Sequence, residues 1–338
     1  PFPNDPAAPT AVLWRAFPTT SPQDIETDEA LVTLKCTGCG AEVIVNTDDS
    51  LHAKCHWCKH VLSLNNRIPN GAVPDGILPF TVTKEQAMAS IQAFVDDRKM
   101  FASPAFAASF TAENVRGVYL PYMTVDGNIS ARLDGQGEVL TRKVRRDDET
   151  IYYGDRYAVT RHVDVLVDDL VVETSESKAN LNSPVSTNNI VNSILPFDVK
   201  EMVRFNANYL TGYTSERRDM NIDAAEKYAA NHFATISRGM VAGSVMKYNR
   251  GVRWESEHVW IHGSRWVSVL LPVWLYGYEE KRGGETITHY LAVNGRTGET
   301  MGSVPINRKK LFAVAFGTAA AISVITWPMA IVALAFGF

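Results

Sequence analysis

Residues 31 to 64 read LVTLKCTGCGAEVIVNTDDSLHAKCHWCKHVLSL, and this stretch contains all four cysteines of the 338-residue chain. The cysteines form two Cys-x-x-Cys turns, Cys36 with Cys39 and Cys55 with Cys58, separated by fifteen residues. Two such turns that face each other supply four thiolates, the ligand set of a closed tetrahedral zinc site. Because no ligand position stays open for water or substrate, we predict a structural Zn²⁺ and not a catalytic one.

The residues around both turns alternate between apolar and polar, which is typical of short strands. We therefore interpret residues 31–66 as a zinc ribbon. Two disulfides or a redox-active dithiol pair are the alternative, and the paired spacing disfavours both. His52, His56 and His60 are available as replacement ligands, but four cysteines complete the site without them.

Charge around the cysteines bears on the choice of partner. Three lysines and three acidic residues cancel within residues 31–64, and the whole chain has 33 Lys+Arg against 37 Asp+Glu. Binding to nucleic acid depends on clustered cations that displace counterions from phosphates. The sequence offers no such surplus, so nucleic acid is a disfavoured partner and a protein contact is favoured.

The C-terminal end is strongly apolar. Residues 311–338 carry no formal charge and follow Arg308, Lys309 and Lys310. Since about 20 apolar residues cross a bilayer core, we predict a transmembrane helix that contacts membrane lipid. The basic flank predicts that the rest of the chain lies in the cytoplasm. Pro328 either kinks this helix or precedes a second span, and a buried helix is the alternative to both.

The region between the ribbon and this segment repeats itself. The run Ile77-Leu78-Pro79-Phe80 recurs as Ile194-Leu195-Pro196-Phe197, and Leu120-Pro121 recurs in the same order as Leu271-Pro272. A period this long with only two copies excludes a solenoid. The repeats predict two related α+β units, each with an antiparallel sheet.

The predicted fold class is thus α+β, with an internal duplication and a C-terminal transmembrane helix. Its predicted parts are an extended or disordered arm at 1–30, a zinc ribbon at 31–66, a first unit at 74–185, a second unit at 190–307 and a transmembrane segment at 311–338.

Several elements inside the two units have recognisable signals. Thr83 followed by Gln86 predicts a capping box at the start of a helix. Residues 200–211 and 222–238 also have helical patterns, and Gly239 is placed to end the second of these helices. The mixed charges of residues 142–149 predict a solvated hairpin tip.

The sequence contains no recognisable catalytic set. It lacks a nucleophile elbow, a pair of catalytic carboxylates and a dinucleotide glycine fingerprint. His258 and His262 lie on a predicted strand, where a spacing of four does not place two ligands together. Residues 294–298 read as a hairpin turn, because the ending of a phosphate loop is missing. We predict no catalytic residue, no cofactor-binding residue and no enzymatic activity.

Four features together resemble a bacterial family of TFIIB-type zinc-ribbon-containing membrane proteins. They are the paired Cys-x-x-Cys turns, the Ile-Leu-Pro-Phe start at residue 77, the Leu-Pro-Val-Trp strand at residue 271 and the Val-Asn-Gly-Arg-Thr-Gly-Glu turn at residue 293. The resemblance covers about residues 30–338, and the Pro-rich arm before it departs from the family. It implies a membrane adaptor that recruits phage-shock coat proteins or flotillin-like SPFH proteins.

The function expected from these observations is that of a non-enzymatic scaffold, anchored in the cell membrane, whose ribbon and duplicated units bind proteins. Homo-oligomerisation is a variant of this expectation, because small residues such as Gly317 allow helices to pack closely. Two alternatives stay open. One is a membrane-tethered protein associated with nucleic acid, and the other is a ligand-binding protein with a cleft between the two units.

Overall fold

Long β-strands organise the chain around one mixed sheet. The computed structural model describes residues 10–14, 30–47, 53–68, 73–109, 111, 114–146, 149–174, 194–218, 220–282 and 285–318. The strands are β1 Thr10–Trp14, β2 Leu31–Lys35, β3 Glu42–Asn46, β4 Arg67–Ile68, β5 Gly76–Ile77, β6 Val115–Arg146, β7 Glu149–Glu173, β8 Val203–Arg204, β9 Thr214–Glu216, β10 Val252–Arg282, β11 Glu285–Asn294 and β12 Thr300–Gly302. The helices are α1 Lys84–Asp96, α2 Pro104–Ser109, α3 Ile222–Ala242 and α4 at residues 308–318.

Strands β6 and β10 form the centre of the sheet. They pair antiparallel from Val252 opposite Gly137 to Tyr276 opposite Val115. The other edge of β10 is covered in turn by β1, β5 and β11, and the other edge of β6 by β7 and β9. Because β1, β5 and β9 pair in parallel and the other neighbours pair antiparallel, the sheet is mixed.

The two sequence repeats meet inside this sheet. Leu120 lies directly opposite Leu271, so the Leu-Pro motifs of the two repeats pair with each other across β6 and β10. The ribbon strands join the same sheet, because β3 pairs with β9 and β9 pairs with β6. The predicted fold class, with a separate ribbon and one antiparallel sheet per unit, is therefore wrong. Strands that are apolar on both faces bury more surface when they pair with each other than in separate sheets.

The predicted transmembrane helix is also contradicted. Within the described ranges no helix combines the length and the apolar composition needed to cross a membrane. The expected membrane localisation and the cytoplasmic placement of the chain rested on this helix and are corrected with it, whereas the contact with lipid stays a prediction. Residues 319–338 of the predicted segment lie outside the described residues.

The predicted segment boundaries stay predictions. Residues 1–9 and 15–29 of the predicted arm, and residues 175–193 between the two predicted units, lie outside the described residues. Within the predicted arm, Thr10–Trp14 adds a parallel strand to β10.

Helix predictions were right where a cap accompanied the apolar pattern. The capping box of Thr83 and Gln86 starts α1, and Asn221 caps α3 through the amide of Ala224. Helix α3 continues through Gly239 to Ala242, so the predicted end of this helix is wrong. The helix predicted at residues 200–211 is also wrong, since the structure has short 3₁₀ turns and strand β8 there.

The largest hydrophobic cluster joins the ribbon to the central strands, and we call it the ribbon core. Its buried members include Leu34, Cys36, Val43, Cys55, Trp57, Val118, Leu120, Tyr122, Val269, Leu271, Val273 and Leu275. A second cluster packs α3 on β6, β7 and β10, and a third packs α1 and α2 on β10 and β11. The ribbon is thus not an independent module, because its apolar side chains belong to the core of the large sheet.

Candidate metal centre

The four cysteine sulfurs converge on one point. Their Sγ atoms all lie within 4.8 Å of one another. The Sγ atoms of Cys36 and Cys58 are 3.5 Å apart, and those of Cys39 and Cys55 are 3.6 Å apart. The structure therefore brings together all four residues that the sequence singled out, and this cluster can hold a metal ion.

Two similar backbone loops position these sulfurs. In the first loop the amide of Cys36 donates to Ala41 and the amide of Gly40 donates to Cys36, at 2.8 and 2.9 Å. In the second loop the amide of Cys55 donates to His60 and the amide of Lys59 donates to Cys55, at the same two distances. Gly40 and Lys59, each four residues after the first cysteine of its loop, both have positive φ angles of 80° and 61°. The tight turn after each pair requires this conformation.

The spacing of the sulfurs fits a tetrahedral metal site. A metal–sulfur distance of about 2.3 Å corresponds to about 3.8 Å between sulfurs, close to the two shortest separations observed. All four cysteines are free, so the alternative of two disulfides does not describe this structure. Gly38 makes the approach possible, because a Cβ at this position would lie 3.2 Å from the Cys58 sulfur.

Burial divides the cluster into an inner and an outer half. Cys36 and Cys55 are buried, Cys58 is half-buried and Cys39 is exposed. Burial raises the pKa of the Cys55 thiol, and it raises the pKa of the Cys58 thiol to about 11. For Cys36 burial also acts to raise the pKa, but hydrogen bonds from the Cys39 and Gly38 amides lower it overall. Burial therefore disfavours the thiolate form of Cys55 and Cys58, whereas the amides of its own loop favour the thiolate of Cys36.

The second loop is packed against the central sheet. The Trp57 ring meets Tyr290 of β11 edge-on, with 5.0 Å between ring centroids. A Cβ at Gly277 of β10 would lie 3.0 Å from the Trp57 carbonyl oxygen, so the loop backbone approaches the strand closely. The Lys59 ammonium lies 5.2 Å from the centroid of the Tyr276 ring. The second Cys-x-x-Cys loop thus packs against the paired strands β10 and β11, which lie far from it in the sequence.

The histidines near the cluster have other positions. His56 is buried, and its Nδ1 lies 3.2 Å from the Thr214 hydroxyl of β9, so it links the second loop to another strand. His52 lies outside the described residues. Among the described residues the four cysteines alone form the ligand group of this site.

Two polar clusters lie outside the cysteine site. The His262 Nε2 lies 2.8 Å from the Ser130 hydroxyl, which donates to Asp164 at 2.5 Å. Since the carboxylate contacts the serine and not the histidine, this trio does not reproduce a nucleophilic triad. Three carboxylates, those of Asp126, Asp168 and Asp169, also converge, but Lys200 forms an ion pair with Asp168 at 3.5 Å. Sequence patterns missed both clusters because register across separate strands creates them.

Comparison with known proteins gives one distant similarity. An uncharacterized protein of Bacillus subtilis (strain 168), YdjG, is 22% identical over 274 residues, which cover 79% of this chain and 75% of that protein. No family model matches the chain. No solved structure gives a significant match. The description of this relative names no activity, so the geometry of the cysteine site carries the functional argument.

Proposed function

We propose that Cys36, Cys39, Cys55 and Cys58 bind one structural Zn²⁺ that fastens the ribbon to the central sheet. The packing of the second cysteine loop supports this proposal most directly. Its Trp57 lies in the ribbon core and packs against Tyr290. A metal held by both loops would fix the first loop to one already anchored on β10 and β11. Binding of the metal would then contribute directly to the free energy of folding.

Zinc suits this ligand set better than other common metals. Four thiolates in tetrahedral order are typical of structural zinc, whereas Mg²⁺ and Ca²⁺ prefer oxygen ligands. Iron also binds to sites of four sulfur ligands, so the test must identify the metal. The ion would leave no coordination position for substrate, which supports a non-enzymatic role.

The wider proposal is a scaffold that binds other proteins through its extended sheet. A long sheet with an exposed edge offers backbone and side-chain contacts to a partner strand. The resemblance of the sequence to zinc-ribbon adaptors makes flotillin-like SPFH proteins and phage-shock coat proteins the first partners to test. The ribbon carries no cationic surplus, so nucleic acid is not proposed as a partner.

Metal analysis of the full chain tests the zinc site. We expect one zinc ion per chain after purification under reducing conditions. Cys36→Ser combined with Cys39→Ser should remove it, while His60→Ala should retain it because this histidine is not a ligand. Iron at one equivalent, or full zinc content in the double variant, would contradict the proposal.

Purified candidate partners test the scaffold role. The intact protein and the double cysteine variant would be compared for binding to a flotillin-like protein and a phage-shock coat protein. Saturable binding that weakens in the variant is the expected result. If neither protein binds, both are excluded as partners. Turnover of a small molecule by the zinc-loaded protein would contradict the non-enzymatic assignment.

A further inference from the structure

Strand β7 has an edge that no described strand covers. Within the described residues β7 pairs with β6 alone, whereas β6 from Tyr122 to Gly137 has β10 on one edge and β7 on the other. Residues 149–167 of β7 pair with β6 without an extra residue on β7, because the register shift opposite Tyr153 and Gly154 places its extra residue, Thr141, on β6. The β7 strand itself is irregular only between Val167 and Leu170. The uncovered edge is therefore about 60 Å long at 3.3 Å per residue. Open edges of this length act as templates for a further strand.

The far end of this edge belongs to a two-stranded hairpin arm, residues 138–146 and 149–157. Strand β10 begins at Val252 opposite Gly137, so β6 beyond this point has β7 as its only described strand neighbour. Large side chains of the arm are exposed: Ile151 at 37%, Tyr153 at 51% and Tyr157 at 49%. Two paired strands that expose aromatic rings are only marginally stable on their own, so a partner that covers them would stabilise them.

We propose that two copies of this chain pair antiparallel through the β7 edges, with the two-fold axis at Ala158. This register places Asp155 of each copy opposite Arg161 of the other, which gives two ion pairs. Within the described residues Asp155 has no ion pair, and Arg161 donates only to Ser244 and to the Thr160 carbonyl. Opposite charges that face each other across strands stabilise a pair, and the two-fold axis doubles the effect.

The same register covers the exposed rings of the arm. Tyr153 lies opposite Val163 of the second copy, Ile151 opposite Val165, and each arm runs beside the part of β7 that packs on α3. The neighbouring register, with its axis at Val159, would place Asp155 opposite Val163 and Arg161 opposite Tyr157. The next register, with its axis at Thr160, would place both charged residues opposite valines. It would pair Arg156 with Asp164, but Asp164 already accepts a hydrogen bond from Ser130. Charge and packing together favour the axis at Ala158.

A second copy is the occupant that fits this pattern. The complementary charges and the apolar partners lie on one strand at positions related by a two-fold axis, as an isologous interface requires. A strand from another protein and residues 175–193 of the same chain are the other possible occupants, and both would leave the protein without this dimer. The inference concerns β7 and does not depend on the metal site.

Site-specific crosslinking tests the register. At the two-fold axis, residue 158 of one copy lies directly opposite residue 158 of the other copy. Opposed Cα atoms lie about 4.5–5.5 Å apart, a distance at which a disulfide can form. Under mild oxidation of the full chain, Ala158→Cys should give a covalent dimer. Thr160→Cys, whose copies would lie about 13 Å apart, should not. Crosslinking of the Thr160 variant at an equal level, or of neither variant, would overturn the proposal.

A charge exchange tests the interface by sedimentation at several protein concentrations. The chain of 37.3 kDa should sediment as a dimer. Asp155→Arg should raise the dimer dissociation constant about tenfold or more, as expected for loss of close charge pairs, and adding Arg161→Asp should restore association. Asp97→Arg, at the C-cap of α1, makes the same charge change away from β7 and should have no effect. A monomeric native chain, or equal weakening by the control, would contradict the dimer.

Discussion

At the scale of single residues, Trp57 connects the cysteine site to the rest of the molecule. It lies between Cys55 and Cys58, yet its ring packs on Tyr290 and its carbonyl oxygen approaches β10 at Gly277. Only 8% of Trp57 is exposed. The residue thus transmits the position of one cysteine pair to the sheet through van der Waals contact.

Trp57→Ala should destabilise the protein and weaken its hold on the metal. Truncation of a buried tryptophan leaves a cavity and costs about 3–5 kcal/mol of unfolding free energy. Chemical denaturation and the rate of zinc transfer to a chelator measure the two effects. Val61→Ala is the matched control, because Val61 lies in the same ribbon at 61% exposure. Similar losses in both variants would argue against a special role for Trp57.

The cysteines and the contacts of Trp57 differ in how far sequence predicts them. Cys-x-x-Cys spacing is local, and geometry requires that two such turns present sulfurs on one side. The partner of Trp57 is Tyr290, far along the chain, and no periodicity in the sequence encodes that contact. The convergence of the four cysteines could therefore be predicted, but their attachment to the sheet could not.

At the scale of elements, glycines on the long strands let α3 approach the sheet. A Cβ at Gly127 of β6 would lie 2.7 Å from the Phe233 ring of α3, closer than real contacts allow. A Cβ at Gly239, inside α3, would meet no atom of another element within 4 Å. The same residue type thus serves close packing on the strand and has no packing role on the helix.

Alanine at these two glycines should have opposite effects. Gly127→Ala should cost about 1–3 kcal/mol, because Phe233 must move in a filled core. Gly239→Ala should stabilise the protein by about 0.5–1 kcal/mol, since glycine is a poor helix former and the site has space. Thermal and denaturant unfolding of both variants measure these changes. A stabilised Gly127 variant would contradict the packing described here.

A buried ion pair ties α3 to β10. The guanidinium of Arg238 donates two hydrogen bonds of 2.7 Å to Glu257, whose side chain is 3% exposed. Glu257→Ala should cost about 3–5 kcal/mol, because it leaves a guanidinium partly buried without its carboxylate. Arg265→Ala, which removes the longer and more exposed pair with Asp126, should cost about 0–1 kcal/mol. Equal unfolding free energies in the two variants would refute the difference.

Long strands also explain why element boundaries were predicted less well than element types. Alternation of apolar and polar residues is a local signal, and bulges and glycines in β6 and β10 interrupt it. Hydrogen bonding continues through these irregularities, so β6 and β10 each extend as a single strand. Local patterns record side-chain burial, whereas strand length depends on the neighbouring strand.

At the scale of the whole molecule, the ribbon and both repeats share one sheet. The repeats were recognisable from sequence because Leu-Pro motifs recur, but pairing of Leu120 with Leu271 across β6 and β10 was not. Many apolar segments of the chain compete to pair with each other in the core. The sequence of one segment therefore does not reveal which distant strand it pairs with. The predicted C-terminal span, inferred from an uncharged stretch behind a basic flank, is not supported, because no helix among the described residues is long and apolar enough to cross a membrane.

Hydrogen exchange after metal removal tests the central claim most directly. Amide exchange would be compared before and after chelation in the full chain. We predict that protection falls in β2 and β3 and also at residues 273–278 and 290–294, where Trp57 and Lys59 contact β10 and β11. Amides where β7 packs on α3 should change least. Loss confined to residues 31–66, or no loss anywhere, would contradict a metal centre that fastens the ribbon to the sheet.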